Sequence, residues 1–204
     1  MSAHPGIVEI LGIAASLSLL SGWRLYLCVF ATGLAMRFGA IPLPEHLAAL
    51  QVLASPWVIG VSALAALAEF LADKIAWFDT LWDTVHTFVR PLGGALLALA
   101  IVDPSDPVTQ AVAFILGGGA ALAAHGGKAG ARAVVNASPE PVSNAVVSTG
   151  EDIMTAGLLY LAYQFPVIAA GIALLLLVLT GALLVVAHRI LSRLWNRRPR
   201  PPQA

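Results

Sequence analysis

The chain has 204 residues, of which 59% are hydrophobic and only 11% are charged, and its formal net charge is zero. A soluble domain usually has about a quarter of its residues charged, so this composition excludes an ordinary soluble enzyme and predicts an integral membrane protein. A chain without net charge has no long-range field to attract nucleic acid, so the expected partners are the lipid bilayer and a small ligand.

The hydrophobic segments predict six helices, because a membrane-spanning helix needs about 20 mostly apolar residues. The first helix, over 7–37, is overlong and carries Ser21-Gly22-Trp23-Arg24 near its middle, so we expect it to be tilted or broken there. An aromatic interfacial segment is predicted over 75–88, ahead of a short third helix. The five later helices are predicted over 47–72, 88–102, 108–136, 139–163 and 166–188.

Proline-rich turns separate these helices, and lysine and arginine are concentrated on one side of the predicted topology. The expected fold is therefore an all-α polytopic transmembrane bundle of about six spans in the bacterial inner membrane, with both termini cytoplasmic. Two inverted three-helix halves, and a four-span topology with re-entrant segments, remain open alternatives. Residues 1–190 are expected to form one transmembrane domain, and residues 191–204 a disordered, basic cytoplasmic tail. The absence of a basic region at the start makes a cleaved signal peptide unexpected.

Several ionisable residues fall inside the hydrophobic segments, where each costs about 2.5–3.5 kcal/mol on insertion scales unless it has a partner or water. His125, Lys128, Arg132 and Asn136 are spaced three and four residues apart, so they share one face of a glycine-rich helix. We expect this face and Arg24 to meet carboxylates in the bundle interior. The candidate ion or solute pathway consists of Arg24, Glu69, Asp73, Lys74, His125, Lys128, Arg132, Glu140, Asn144, Glu151 and Asp152.

Each of these features also has a plainer interpretation. His125 is explained equally well as a hydrogen-bonded core histidine, and Arg24 with Glu151 or Asp152 as a structural ion pair. Glu140 follows Pro139 in the first turn of a helix, where the helix dipole favours an acid.

Asp79, Asp83 and His86 lie at helical spacing in the predicted interfacial segment. Carboxylates and imidazole at such spacing can converge on a divalent metal, so these three residues form a candidate metal site. A solvated cytoplasmic loop is the alternative interpretation of the same residues.

Three segments together resemble a known family: SGWRLYL, AEFLADKIAWFDTLWDTVHTFVRP and AAHGGKAGARAVVNASPEPVSNAVVSTGED. The chain is similar, over about residues 8–187, to the bacterial membrane family called domain of unknown function 4126. The resemblance implies a multi-spanning protein of unassigned activity and supplies no substrate. It places the family motif on Asp73, Lys74, Asp79, Asp83, His86, Arg90, His125, Lys128, Arg132, Ser138, Glu140, Asn144, Glu151 and Asp152.

Three classes of function fit these observations. The favoured one is a small transporter or channel for an ion or small polar solute, with proton coupling through Glu151, Asp152 or His125. The second is a membrane scaffold, an assembly factor or a lipid-binding protein with a structural charge network, in which faces of small residues serve a homo-oligomer. The third, a membrane enzyme with an interfacial Asp79, Asp83 and His86 site, is least favoured. The sequence contains no nucleophile–base motif and no nucleotide-binding loop, so we expect no cofactor.

Overall fold

In the computed structural model, residues 7–39, 45–102, 105–136 and 141–196 are described, and within them the chain forms helices and no strands. The predicted all-α class is therefore confirmed. A 3-10 helix over Glu45–Ala54 lies between the first two α-helices. The α-helices are α1 (Ile7–Arg37), α2 (Pro56–Ala72), α3 (Ala76–Leu99), α4 (Pro107–Asn136), α5 (Pro141–Gln164) and α6 (Pro166–Asn196).

Two predicted elements are corrected by the structure. The interfacial segment over 75–88 and the short helix over 88–102 are one continuous helix, α3, which contains Pro91. The charged residues and the histidine of its first part are buried, whereas Thr80, Thr84 and the aromatic side chains of Trp77 and Phe88 are exposed. The predicted helix over 47–72 is divided, because Pro56 has no N–H to extend the preceding 3-10 helix and instead begins α2.

The end of the chain also differs from the prediction. α6 continues to Asn196, beyond residue 188, where the last helix was predicted to end. The rest of the tail, and the turn that contains Pro42 and Pro44, lie outside the described residues.

α1 is broken near its middle, as the sequence predicts. Arg24 has non-helical backbone angles, with φ −144° and ψ 71°. A break of this kind removes the helical partners of the carbonyl groups in the turn before it. The Gly22 carbonyl accepts a hydrogen bond from Arg90 Nη1 at 3.4 Å, and the Trp23 carbonyl accepts one from Lys128 Nζ at 3.3 Å. Cations from α3 and α4 therefore satisfy the carbonyl groups that the break exposes.

α1 lies at the centre of the bundle and packs against each of the other helices. Small residues allow α3 and α4 to approach it and each other closely, as in many membrane bundles. A Cβ atom added at Gly117 of α4 would lie 2.6 Å from Ala98 Cβ and 2.8 Å from the Gly94 carbonyl oxygen, both on α3. Ser18 of α1 donates a hydrogen bond of 3.1 Å to the same Gly94 carbonyl. These contacts fix the three central helices against one another.

The distribution of polarity is the reverse of that in a soluble protein. Large apolar side chains cover the outside, among them Trp57 (83% exposed), Phe88 (80%) and Leu174 (64%), while Arg24 and Arg90 are at most 1% exposed. Within the described ranges, two segments, Leu11–Arg37 and Pro107–Arg132, are long and apolar enough to cross a membrane. An apolar exterior of this extent is unfavourable in water and favourable in hydrocarbon.

The contact between α3 and α4 predicts opposite effects for two substitutions on the same helix. Gly117→Ala should lower the free energy of unfolding by about 1–3 kcal/mol, because its Cβ meets Ala98 and the backbone of Gly94. Gly119→Ala is the matched control, because a Cβ there has no atom within 4 Å and alanine favours a helix over glycine. Thermal unfolding in detergent measures both variants. A Gly117→Ala variant at least as stable as Gly119→Ala would contradict this packing.

Candidate functional site

The candidate site is a network of buried charged side chains centred on Arg24, at the break in α1. Its guanidinium group forms an ion pair with Asp73, which follows the last residue of α2, and two more with α5. Nε lies 2.9 Å from Asp152 Oδ1, and Nη2 lies 3.4 Å from Glu151 Oε2. Nη2 also donates to the carbonyl and the hydroxyl oxygen of Ser148. Arg24 thus joins α1 to α2 and α5.

A second centre is Arg90 of α3, which is completely buried. Its Nη2 lies 2.5 Å from Glu69 Oε1 of α2, and its Nη1 lies 3.1 Å from Asp83 Oδ1. Nη1 also lies 2.6 Å from Nδ1 of His125 on α4. Arg90 belongs to the family motif but not to the pathway predicted from the sequence. Its position four residues after His86 and seven after Asp83 is the signal that would have included it.

The partners of His125 define its protonation. An arginine can only donate, so His125 Nδ1 accepts the hydrogen bond from Arg90 and carries no proton. Nε2 lies 3.0 Å from the Asp83 carbonyl oxygen, an acceptor, and therefore carries the proton. His125 is consequently a neutral imidazole that is hydrogen-bonded on both sides, which supports its interpretation as a core histidine.

Lys128 and Arg132 extend the network along α4. Lys128 Nζ lies 3.4 Å from Asp73 Oδ2 and 3.8 Å from Glu151 Oε2, so it shares both carboxylates with Arg24. Arg132 Nε lies 3.2 Å from Asp79 Oδ2, and its Nη2 donates to the Asp73 carbonyl. Asp73 therefore links the three cations through its carboxylate and its carbonyl group.

Lys74 lies at the edge of the network. Its Nζ donates to Ser148 Oγ at 2.8 Å and lies 3.8 Å from the centre of the Phe70 ring. The ammonium group therefore connects the turn after α2 to α5.

Buried atoms of the network that lack a hydrogen-bond partner among the described residues include both acceptors and donors. Among them are Oε2 of Glu69, Oδ1 of Asp73 and Nε of Arg90, and these three side chains are at most 1% exposed. An unsatisfied buried polar group costs about 1–3 kcal/mol, and more when it is charged, unless a water molecule, a proton or an ion compensates it. The network therefore has unused hydrogen-bonding capacity of both kinds, and its two carboxylate oxygens could accept from a positively charged or hydrogen-donating species.

Two cavities reach the network from different sides. The first is a groove of about 370 Å³ between α2 and α5, and we call it the α2–α5 groove. Arg24, Glu69 and Asp152 supply its polar surface. The second has a volume of about 160 Å³ and lies between α3 and α4, where Asp79, Asp83 and three threonines line it.

Two series of charged side chains connect these two cavities, one through ion pairs alone and one through ion pairs and a hydrogen bond to a backbone carbonyl. One series runs from Asp152 through Arg24 to Asp73, whose carbonyl accepts from Arg132, the partner of Asp79. The other runs from Glu69 through Arg90 to Asp83. Each series begins in the α2–α5 groove and ends in the cavity between α3 and α4.

The structure does not assemble the candidate metal site. Asp79 pairs with Arg132 and Asp83 pairs with Arg90, so each carboxylate already has a cation of its own. His86 hydrogen-bonds the Trp82 carbonyl oxygen through Nδ1 at 2.7 Å and the Tyr26 hydroxyl through Nε2 at 3.0 Å. Among the described residues there is no group of three acidic, histidine or cysteine side chains that could hold a metal ion.

Two residues of the predicted pathway cannot be placed. Glu140 lies outside the described residues, and Asn144 is described only as part of the backbone of α5. The other nine pathway residues all take part in the contacts given above.

These features define a class: an all-helical protein with an apolar exterior, a charged interior and helices that could span a membrane. The model of the family called domain of unknown function 4126 matches residues 11–186. The chain therefore belongs to the DUF4126 family, as the sequence resemblance predicts. No curated protein and no solved structure matches the chain.

The pairing of Arg132 with Asp79 predicts a large loss of stability from one substitution and a partial recovery from two. Arg132→Met leaves Asp79 buried without its cation, and it should lower the free energy of unfolding by about 3–5 kcal/mol. Arg132→Met with Asp79→Leu removes the uncompensated charge and should recover part of that loss. Thermal unfolding in detergent measures both variants. A double variant less stable than Arg132→Met alone would contradict the pairing.

Proposed function

We propose that this protein is a six-span membrane protein that conducts or transports a small ion or polar solute through its buried charge network. The observation that carries the proposal is the connection between two cavities by two series of charged side chains. Charged side chains inside a membrane protein usually mark a path for a substrate or an ion, because burying them in a purely structural role is costly.

The six-span topology is supported by the lengths and outer faces of the helices. The shortest, α2, has 17 residues, at the lower limit of about 17–25 for a spanning helix. The charges of α3 and α5 point into the bundle, while Phe88 on α3 and Ile153 on α5 are exposed. A helix that buries its charged residues and exposes apolar ones can lie against lipid, even when its overall composition is not uniformly apolar. We further propose a bacterial inner-membrane location with both termini cytoplasmic, as the distribution of lysine and arginine favours.

This topology predicts opposite accessibility for two introduced cysteines. In a Cys28→Ser background, Ser105→Cys in the turn before α4 should react with a membrane-impermeant maleimide from outside the cell. Ser192→Cys near the end of α6 should react only after the membrane is opened. The native Cys28 is 1% exposed and lies among apolar side chains, so the stability of the Cys28→Ser background is compared with the wild type before labelling. Labelling of both positions from the same side would exclude six spans.

A membrane scaffold with a purely structural charge network is the second candidate, because seven of the eight ion pairs among the described residues join one helix to another or to the turn after α2. The eighth, between Arg90 and Asp83, lies within α3. A structural network is expected to be dry and fully paired. The unpartnered oxygens of Glu69 and Asp73 and the two adjoining cavities favour transport over this alternative.

Glu151→Gln separates the two candidates. Glu151 lies 3.4 Å from Arg24 and 3.8 Å from Lys128, so these contacts are long and a neutral amide of the same shape should leave the fold intact. In liposomes with ion- and pH-sensitive dyes, the wild-type protein should give a flux above that of empty vesicles. Glu151→Gln should lower that flux about tenfold, equivalent to about 1.4 kcal/mol in the barrier.

The matched control for this flux experiment is Asp106→Asn, which also removes one negative charge. Asp106 lies in the exposed turn before α4 and accepts hydrogen bonds from Val108 and Thr109, which asparagine can also accept. This variant should transport like the wild type. A wild-type flux equal to that of empty vesicles for every ion tested would refute transport of ions and favour the scaffold.

A further inference from the structure

The charges of the network do not balance. Six carboxylates, those of Glu69, Asp73, Asp79, Asp83, Glu151 and Asp152, face five cationic side chains, those of Arg24, Lys74, Arg90, Lys128 and Arg132. With every group ionised and His125 neutral, one negative charge remains. A site in a low-dielectric interior with one excess negative charge favours a monovalent cation and disfavours an anion.

Two carboxylates of the network border the α2–α5 groove, and Asp152 is the more accessible of the two. Glu69, which lines the groove, is 1% exposed, and its Oε2 has no hydrogen-bond partner within the described ranges. Asp152 also lines the groove, is about one quarter exposed, and contacts Arg24 Nε through Oδ1. Arg24 does not oppose a cation there, because its three nitrogens already face Asp73, Glu151 and Asp152.

The walls of the groove are apolar, in contrast to its acidic floor. They are formed by Leu27 of α1, Ala66 and Phe70 of α2, and Ile153 and Ala156 of α5. α2 and α5 both pack on α1 but scarcely contact each other, so the groove opens sideways between them. The rim there is apolar, since Ile153 is 69% exposed. In a bilayer this opening would face lipid.

We propose that the α2–α5 groove binds an amphiphilic organic cation, which enters from the lipid and places its positive charge against Glu69 and Asp152. This inference rests on the proposed transport function and names the class of its substrate. A volume of about 370 Å³ with apolar walls suits an organic molecule, whereas a bare alkali ion requires a small shell of oxygen ligands.

Binding to the purified full chain in detergent tests this proposal, with tetraphenylphosphonium as the probe. Tetraphenylborate is its control, because it has nearly the same shape and the opposite charge. The wild-type protein should bind tetraphenylphosphonium saturably and tetraphenylborate weakly or not at all. Equal binding of the two probes, or no saturable binding of the cation, would overturn the proposal.

Two pairs of variants locate the binding. Asp152→Asn removes a charge from the groove and should weaken binding about tenfold or more, while Asp106→Asn removes one from an exposed turn and should not. Ala156→Phe fills the groove and leaves the charges intact, so it should also weaken binding. Gly157→Phe is its control, because that position is adjacent but does not line the groove, and a Cβ there meets nothing within 4 Å. Wild-type affinity in both groove variants would exclude this site.

The same preparations separate this inference from the proposed function. Displacement of the probe by Na⁺ or K⁺ at constant ionic strength would indicate an inorganic cation and overturn the amphiphilic class. Ion flux in liposomes without probe binding would remove the inference and leave the transport proposal. Probe binding with no flux of the probe or of any ion would remove transport and leave the groove as a binding site.

Discussion

The ion pair between Arg24 and Asp73 is the interaction on which the rest of the structure depends. Arg24 stands where α1 loses its helical hydrogen bonds, and its side chain is 1% exposed. A guanidinium group in this position is tolerable only when carboxylates surround it, since an isolated charge in a low-dielectric interior is unstable. Asp73 supplies one carboxylate from the turn after α2, while Glu151 and Asp152 supply two from α5. The break in α1 and the positions of α2 and α5 are therefore coupled by one side chain.

The break has a second consequence, because it provides carbonyl groups to the cations of other helices. Gly22 and Trp23 accept hydrogen bonds from Arg90 and Lys128, so α3 and α4 are also held at this point of α1. Broken helices with exposed carbonyl groups beside charged residues are characteristic of binding sites in membrane transporters. The apolar exterior and the charged centre are thus parts of a single arrangement in which apolar side chains form the outside and the polar groups of the interior solvate one another.

Much of this arrangement follows from the sequence, but the choice of which carboxylate pairs with which cationic side chain does not. The apolar runs and prolines predict the helices, and Ser21-Gly22-Trp23-Arg24 predicts the break. The sequence predicts two elements where the structure has one helix, α3. A segment with Asp79 and Asp83 on one face resembles an interfacial helix until the burial of these residues against α4 is known. Glu69 and Asp73 lie one turn apart on the same face, and yet they pair with Arg90 and Arg24 respectively. Such a choice depends on the rotation and spacing of packed helices, which periodicity along a single helix cannot specify.

A network that only joined helices would give each charge one fixed partner, whereas here some partners are shared. Arg24 and Lys128 both contact Asp73, and they also share Glu151 at 3.4 and 3.8 Å. A cation or proton that neutralised one of these carboxylates would leave the two basic side chains to redistribute over the other. Exchange between alternative pairings of similar geometry is the kind of two-state element through which ligand binding moves helices. Because Asp73 lies at the joint between α2 and α3, such an exchange would act directly on the helix that forms one wall of the α2–α5 groove.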